Sequence, residues 1–141
     1  MYTMNRTGLA TFGLALSLAA GTVCADVVAV VSAKSTVTTL SKSQLTDIFL
    51  GRVSRFPDGA RAVPIDQAEG SAVRDEFYAK VVGKTAAQVK AFWSKIIFTG
   101  RGQPPKAVPN SIEMKKRIAE NPAAIGYIEE QLVDETVRVV L

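Results

Sequence analysis

The chain has 141 residues, 48% of them apolar, and a formal net charge of +4, with no histidine and one cysteine, Cys24. Without histidine or a second thiol, a Cys/His zinc site, a Ser-His-Asp triad and an imidazole general base are excluded, so we expect no enzymatic activity, no metal and no cofactor. The modest basic excess suits an anionic ligand, whereas the lack of a basic run with interleaved aromatic residues argues against nucleic-acid binding.

Residues 1–25 form a predicted secretory signal peptide. Arg6 precedes an almost unbroken apolar run over residues 8–21, and small residues precede Asp26. The run is shorter than the roughly 20 residues needed to span a bilayer. Val23 occupies the position before Cys24 where lipoprotein processing requires a small residue. We therefore expect cleavage after Ala25, a periplasmic location and no membrane span after cleavage.

Residues 26–141 are long enough for one domain with its own core. Arg6 is the only charged residue before Asp26, so the mature chain has 16 basic and 13 acidic residues and a net charge of +3. The acids near the C-terminus stand in adjacent pairs, Glu129-Glu130 and Asp134-Glu135. Adjacent acids point in different directions, so these pairs indicate a solvated face rather than a catalytic carboxylate pair.

The first predicted elements are a buried strand over the β-branched residues 27–31 and a helix over residues 41–51. Ser41 is the expected N-cap of this helix, Gln44 completes a capping box, and Gly51 ends the helix. A Phe-Pro-Asp-Gly turn at residues 56–59 then leads into a second strand over residues 62–65.

Residues 63–77 read as a strand, a Gly-Ser turn and a helix, which is the local architecture of an anion site. A helix start leaves backbone N–H groups without acceptors and adds roughly half a positive charge. Gly70 lets the backbone approach a ligand, the Ser71 hydroxyl can donate to an oxyanion, and Arg74 offers a planar fork of donors. The alternative is that Ser71 is only an N-cap and Arg74 only pairs with a nearby carboxylate.

The second half of the chain continues the alternation of helices and strands. Thr85 is the expected cap of a helix to residue 98 whose apolar stripe, including Trp93, belongs to the core. The Gly- and Pro-rich residues 99–105 form a predicted loop, and Ser111 is expected to cap a helix ending near residues 121–122. The last strands are predicted at residues 124–128 and 137–141. The pattern favours an α/β layered fold with a mostly parallel sheet.

Three separated segments together resemble a known family. They are Leu40-Ser41 followed by residues 45–51 ending in IFLG, residues 64–77 containing EGSAVRDEF, and residues 121–127 with the sequence NPAAIGY. In this order they resemble the phosphate-binding periplasmic proteins, the substrate-binding components of phosphate ABC transporters with the type II periplasmic-binding-protein fold. The resemblance covers most of residues 27–140 and implies binding of phosphate or a similar oxyanion through Gly70, Ser71 and Arg74.

The chain also departs from the family pattern. Ala72 and Val73 stand where the phosphate motif has a second glycine and a threonine, and no arginine stands among residues 66–68. Family members have two lobes, whereas this length suffices for about one. The resemblance therefore implies a single-lobe α/β fold, a three-layer sandwich with a mostly parallel sheet like one lobe of a type II periplasmic binding protein. We therefore expect weak or no phosphate binding by a monomer, unless a homodimer supplies the missing wall.

Two functions remain open at this point. The first is a periplasmic solute-binding protein that captures an oxyanion and works with an ABC permease. The alternative is a binding-protein-like module that contacts another envelope protein and binds no small ligand.

Overall fold

In a computed structural model, residues 26–141 are described and form helices on both faces of one five-stranded sheet. The predicted signal peptide, residues 1–25, lies outside the described residues. The strands are β1 (Val27–Ser32), β2 (Val63–Gln67), β3 (Lys106–Val108), β4 (Ala124–Glu129) and β5 (Val137–Val139). The α-helices are α1 (Lys42–Phe49), α2 (Ala72–Phe77), α3 (Ala86–Phe98) and α4 (Ser111–Glu120). A π-helical turn, Tyr78–Val82, continues α2, and a 3₁₀ turn, Glu130–Leu132, follows β4.

The strand order across the sheet is β3-β2-β4-β1-β5. β2 pairs in parallel with β3 and β4, while β1 pairs antiparallel with β4 and β5. Four strands therefore run in one direction and β1 alone runs in the other. The predicted α/β fold with a mostly parallel sheet is confirmed, with β1 as its one reversed strand.

Local capping signals position two of the helices as predicted. Ser41 caps α1 and Thr85 caps α3, and in both helices the glutamine three residues later, Gln44 or Gln88, closes a capping box. The cap predicted for α4 is wrong by one residue. Asn110, in extended backbone, accepts the Glu113 N–H at 2.9 Å, and Ser111 is the first helical residue.

Two strand assignments also differ from the sequence-based prediction. β2 extends to Gln67, two residues beyond the predicted end, because the parallel neighbour β3 pairs with Ile65, Asp66 and Gln67. β3 itself was not predicted. It has only three residues and follows Pro104-Pro105, so neither alternation nor length reveals it in the sequence.

The two faces of β4 hold the layers together. On the face covered by α1 and α2, the Tyr127 ring stacks on the Phe77 ring with centroids 4.1 Å apart. The ring of Phe49, from α1, packs against Phe77 with centroids 4.8 Å apart. On the opposite face, Gly126 lies beneath Met114 and Ile118 of α4. A side chain at position 126 would occupy the space of these two fully buried residues.

The close approach of α4 to β4 predicts that Gly126→Ala destabilises the protein. An added Cβ would stand 3.0 Å from Ile118 Cδ1 and still closer to Met114 Sδ. Because both neighbours are packed in the core, we expect a loss of about 1–3 kcal/mol in the free energy of unfolding, measured by urea denaturation. Gly102→Ala is the matched control, since its Cβ would meet Ile96 at an ordinary 3.6 Å. Equal stability of the two variants would contradict this packing.

Candidate functional site

The buried carboxylate of Asp66 lies at the centre of the predicted anion-site region. Asp66 is in β2, next to its last residue, and only 4% of it is exposed. The Tyr78 hydroxyl donates to its Oδ2 at 2.9 Å, and the Tyr127 hydroxyl donates to its Oδ1. The backbone N–H of Gln67 also donates to Oδ1, at 2.9 Å. A buried charge requires such partners, and this one has donors from the strand, the adjoining helix and β4.

Arg74 provides the balancing positive charge. Its Nε donates to Asp66 Oδ2 at 3.3 Å, and its guanidinium carbon lies 5.0 Å from the centre of the Tyr78 ring. Burial alone would lower the pKa of Arg74, but the neighbouring Asp66 charge raises it above its ordinary value. The predicted alternative, a pairing of Arg74 with a nearby carboxylate, is therefore present. Its side chain remains 11% exposed, and its terminal nitrogens have no acceptor among residues 26–141.

Ser71 caps α2 as predicted and also belongs to a hydrogen-bond chain. Its Oγ accepts the Arg74 N–H at 3.3 Å and donates to Gln67 Oε1 at 3.1 Å. The amide nitrogen of Gln67 donates in turn to Ser111 Oγ, at 2.9 Å, and to the Tyr127 carbonyl. The hydroxyl of Ser71 thus has both a donor and an acceptor within the protein.

Gly70 forms the exposed turn before α2. Its φ of 90° lies in the region that favours glycine, and a Cβ built on it would meet nothing within 4 Å. Glycine is thus required here by backbone conformation, while the space above it is open. Within the described part of the chain, the N–H groups of Ala72 and Val73 have no acceptor, as the first turn of a helix dictates. The structure therefore brings Gly70, Ser71 and Arg74 together at one partly exposed turn.

Two tyrosines of the cluster are held in their neutral form. Burial, followed by the charge of Asp66 and their hydrogen bonds to it, raises the pKa of Tyr78 and of Tyr127 far above the ordinary value. Each hydroxyl is therefore a fixed donor to the carboxylate throughout the physiological range. Because these hydroxyls stay neutral in that range, they hold the charge of the carboxylate and do not transfer protons.

The sequence analysis missed Asp66, Gln67, Tyr78 and Tyr127. The sequence contains one signal for this cluster, the polar pair Asp66-Gln67 at the end of an apolar strand. The tyrosines are 12 and 61 residues away from Asp66, and only the fold brings them to it.

Among residues 26–141, no three His, Cys, Asp or Glu side chains are grouped so as to hold a metal ion. None of the helices in this part of the chain is long and apolar enough to cross a membrane.

Comparison with family models and with curated proteins gives no match. Solved structures do match. One is a candidate phosphate ABC transporter substrate-binding protein with bound phosphate from Clostridium perfringens, 23% identical, with a TM-score of 0.64. A second is an ABC-type phosphate transport receptor from Vibrio cholerae, 20% identical, with a TM-score of 0.63. A third is PstS from Borrelia burgdorferi, 14% identical, with a TM-score of 0.60.

Each match covers 81% of this chain but only 43%, 44% and 46%, respectively, of the solved protein. The chain therefore spans less than half the length of these proteins and has the fold of one of their lobes. The fold expected from the three sequence segments is confirmed.

The raised tyrosine pKa values predict how the protein responds to alkali. In the folded state both tyrosines resist ionisation, whereas in the unfolded chain they ionise near pH 10. The stability that they contribute is complete below about pH 10 and is lost as the pH rises further. For residues 26–141, whose only tyrosines are Tyr78 and Tyr127, we expect tyrosinate absorbance to appear only together with loss of near-ultraviolet circular dichroism. The urea-unfolded protein is the control. A tyrosine that titrates near pH 10 in the folded protein would contradict the cluster.

Proposed function

We propose that the chain is an exported solute-binding protein built as a single lobe, which holds phosphate or a similar oxyanion at Gly70, Ser71 and Arg74 for ABC-type uptake. The observation that carries the proposal is the set of unused donors at one exposed turn. The N–H groups of Ala72 and Val73 and the terminal nitrogens of Arg74 lack acceptors among the described residues. The fold shared with a solved protein that contains bound phosphate supports the same assignment.

The arrangement determines how such an anion would be held. The charge of Arg74 is balanced by Asp66 at 3.3 Å, so the pair offers directed hydrogen bonds more than net positive charge. Ser71 would contribute by exchanging its bond to Gln67 Oε1 for a bond to the anion. Gly70 contributes open space above the turn, because no atom lies where its side chain would be.

An open lobe limits the affinity. Gly70 is exposed and Ser71 only half-buried, so an anion at this turn keeps much of its hydration. Each hydrogen bond then contributes less than it would in a closed, dry cleft. We therefore expect weak binding by a monomer and stronger binding if a second copy of the chain covers the turn.

Isothermal titration of residues 26–141 with phosphate at low salt tests the site, with sulfate as the comparison anion. The informative variant is Arg74→Lys, which keeps a cation beside Asp66 but removes the fork of donors. We expect it to weaken phosphate binding about tenfold or more, the effect of losing one or two charge-assisted hydrogen bonds. Ser71→Ala should also weaken binding.

The matched control is Arg101→Lys, the same exchange at an exposed loop position. It should leave the titration unchanged. The melting temperature of each variant separates loss of binding from loss of folding. A flat titration at millimolar phosphate, or equal affinity of the Arg74 and Arg101 variants, would eliminate this site.

Periplasmic location is the second part of the proposal, and it depends on the predicted signal peptide. Expression in a bacterial host should give a periplasmic protein that begins at Asp26, as determined by mass spectrometry of the intact chain. Replacing Leu14 and Leu16 in the apolar run with arginine should retain the full-length chain in the cytoplasm, because the run can then no longer enter the export machinery. A wild-type chain that keeps residues 1–25 would rule out cleavage.

A module that contacts another envelope protein is the second candidate function. It is favoured by the end of α3, where Phe98 is 92% exposed and Ile97 is 54% exposed. A contiguous apolar patch is typical of a surface that another molecule covers, and these two adjacent side chains would form the centre of such a patch. This function predicts a flat phosphate titration together with a protein partner whose capture is lost in Phe98→Ser; capture that is indifferent to Phe98→Ser would count against it.

A further inference from the structure

A groove with a volume of about 680 Å³ runs along the first half of β2, and we call it the β2 groove. It exists because β3 begins only opposite Ile65, so Val63 and Pro64 have no neighbouring strand on that side. The end of α1, Trp93 of α3 and the last turn of α4 form its walls. Its volume lies within the range of small-molecule sites, about 300–1,000 Å³. None of the proposed anion-site residues lines it.

The deep part of the groove is apolar. Phe49 is fully buried, Trp93 is 6% exposed, and Pro64 and Ile65 are half-buried beside them. The Trp93 ring closes on Gly51, where an added Cβ would stand 3.2 Å from ring atom Cη2. An occupant with an aromatic or aliphatic body would replace water against this surface, which is favourable in proportion to the area covered.

The rim of the groove is positively charged. Arg61, Lys106 and Arg117 line it, all three are exposed, and none has an ion-pair partner in the part of the chain that the structure describes. Glu120 is the one acidic residue of the lining. Three cations from three different segments against one carboxylate favour an occupant with negative charge.

Trp93 contributes a further polar feature. Its indole Nε1–H is buried and has no acceptor within residues 26–141. Nearly all buried N–H groups in proteins have a hydrogen-bond acceptor, so each exception requires an explanation. Its acceptor must therefore come from outside residues 26–141.

We propose that the β2 groove binds an organic carboxylate with an apolar body, whose carboxylate meets the cations of the rim and whose body lies against Trp93. The ligand differs from inorganic phosphate in needing both parts. The site is separate from the turn at Gly70, so the two sites succeed or fail independently. Arg61 comes from the segment just before β2, Lys106 from β3 and Arg117 from α4, so an anion among them would connect three separate segments of the chain.

Trp93 is the only tryptophan of the chain, so its fluorescence reports on this groove directly. We would titrate the purified protein with 4-phenylbutyrate and, as the uncharged analogue, with 4-phenylbutan-1-ol. We expect a saturable change in Trp93 emission with the carboxylate, at least fivefold weaker binding of the alcohol, and no displacement by inorganic phosphate. Displacement by phosphate would mean that the apolar body is not required and would overturn the proposal.

The matched variants are Arg117→Gln and Lys116→Gln, which remove one positive charge from neighbouring exposed positions of α4. Only Arg117 lines the groove. We expect Arg117→Gln to weaken binding about threefold to fivefold, the effect of one partly exposed ion pair, and Lys116→Gln to leave it unchanged. The double variant Arg61→Gln/Arg117→Gln should weaken it further. No saturable change in emission, or equal effects of the two single variants, would overturn the proposal.

Discussion

The carboxylate of Asp66 is the constraint on which this lobe depends. A carboxyl group that is 4% exposed is stable in the fold only if the elements around it supply hydrogen-bond partners. The end of β2, α2 with its π-helical turn, and β4 each supply one through Gln67, Tyr78 and Tyr127. Arg74 completes the set with an opposite charge. Because all four must arrive together, the carboxylate fixes the position of α2 relative to the sheet.

The same constraint shapes what the exposed turn can bind. A turn with an unpaired arginine would attract any anion through its net charge. Here the Asp66 carboxylate neutralises Arg74, and the Ser71 hydroxyl is already bonded to Gln67. What remains is a small set of N–H groups with fixed directions. At the proposed anion site, such a set would discriminate by shape and hydrogen-bond geometry, in favour of a tetrahedral oxyanion over a diffuse anion.

The sequence was sufficient where the signal is local and insufficient where it depends on tertiary contacts. The capping boxes at Ser41 and Thr85 are complete within four residues, and α1 and α3 begin where they indicate. The Asp66 cluster joins residues up to 61 positions apart, so no local pattern contains it. The Asn110 cap was missed because Asn and Ser are both good caps, and the choice depends on Gln67 engaging the Ser111 hydroxyl. β3 was missed because a parallel edge strand of three residues has no pattern of its own.

The π-helical turn at Tyr78–Val82 also has a consequence for how this sequence can change. By accommodating one extra residue, it lets Phe77 and Tyr78 both be buried, and it leaves the Val81 carbonyl to accept from Thr46 of α1 at 3.2 Å. Deleting one residue here would return the segment to regular α-helical pitch and remove the local offset that buries Phe77 and Tyr78 together. Insertions and deletions between homologues are therefore expected to avoid this short segment and to accumulate in the exposed loop at residues 99–104, where the chain length is not set by packing.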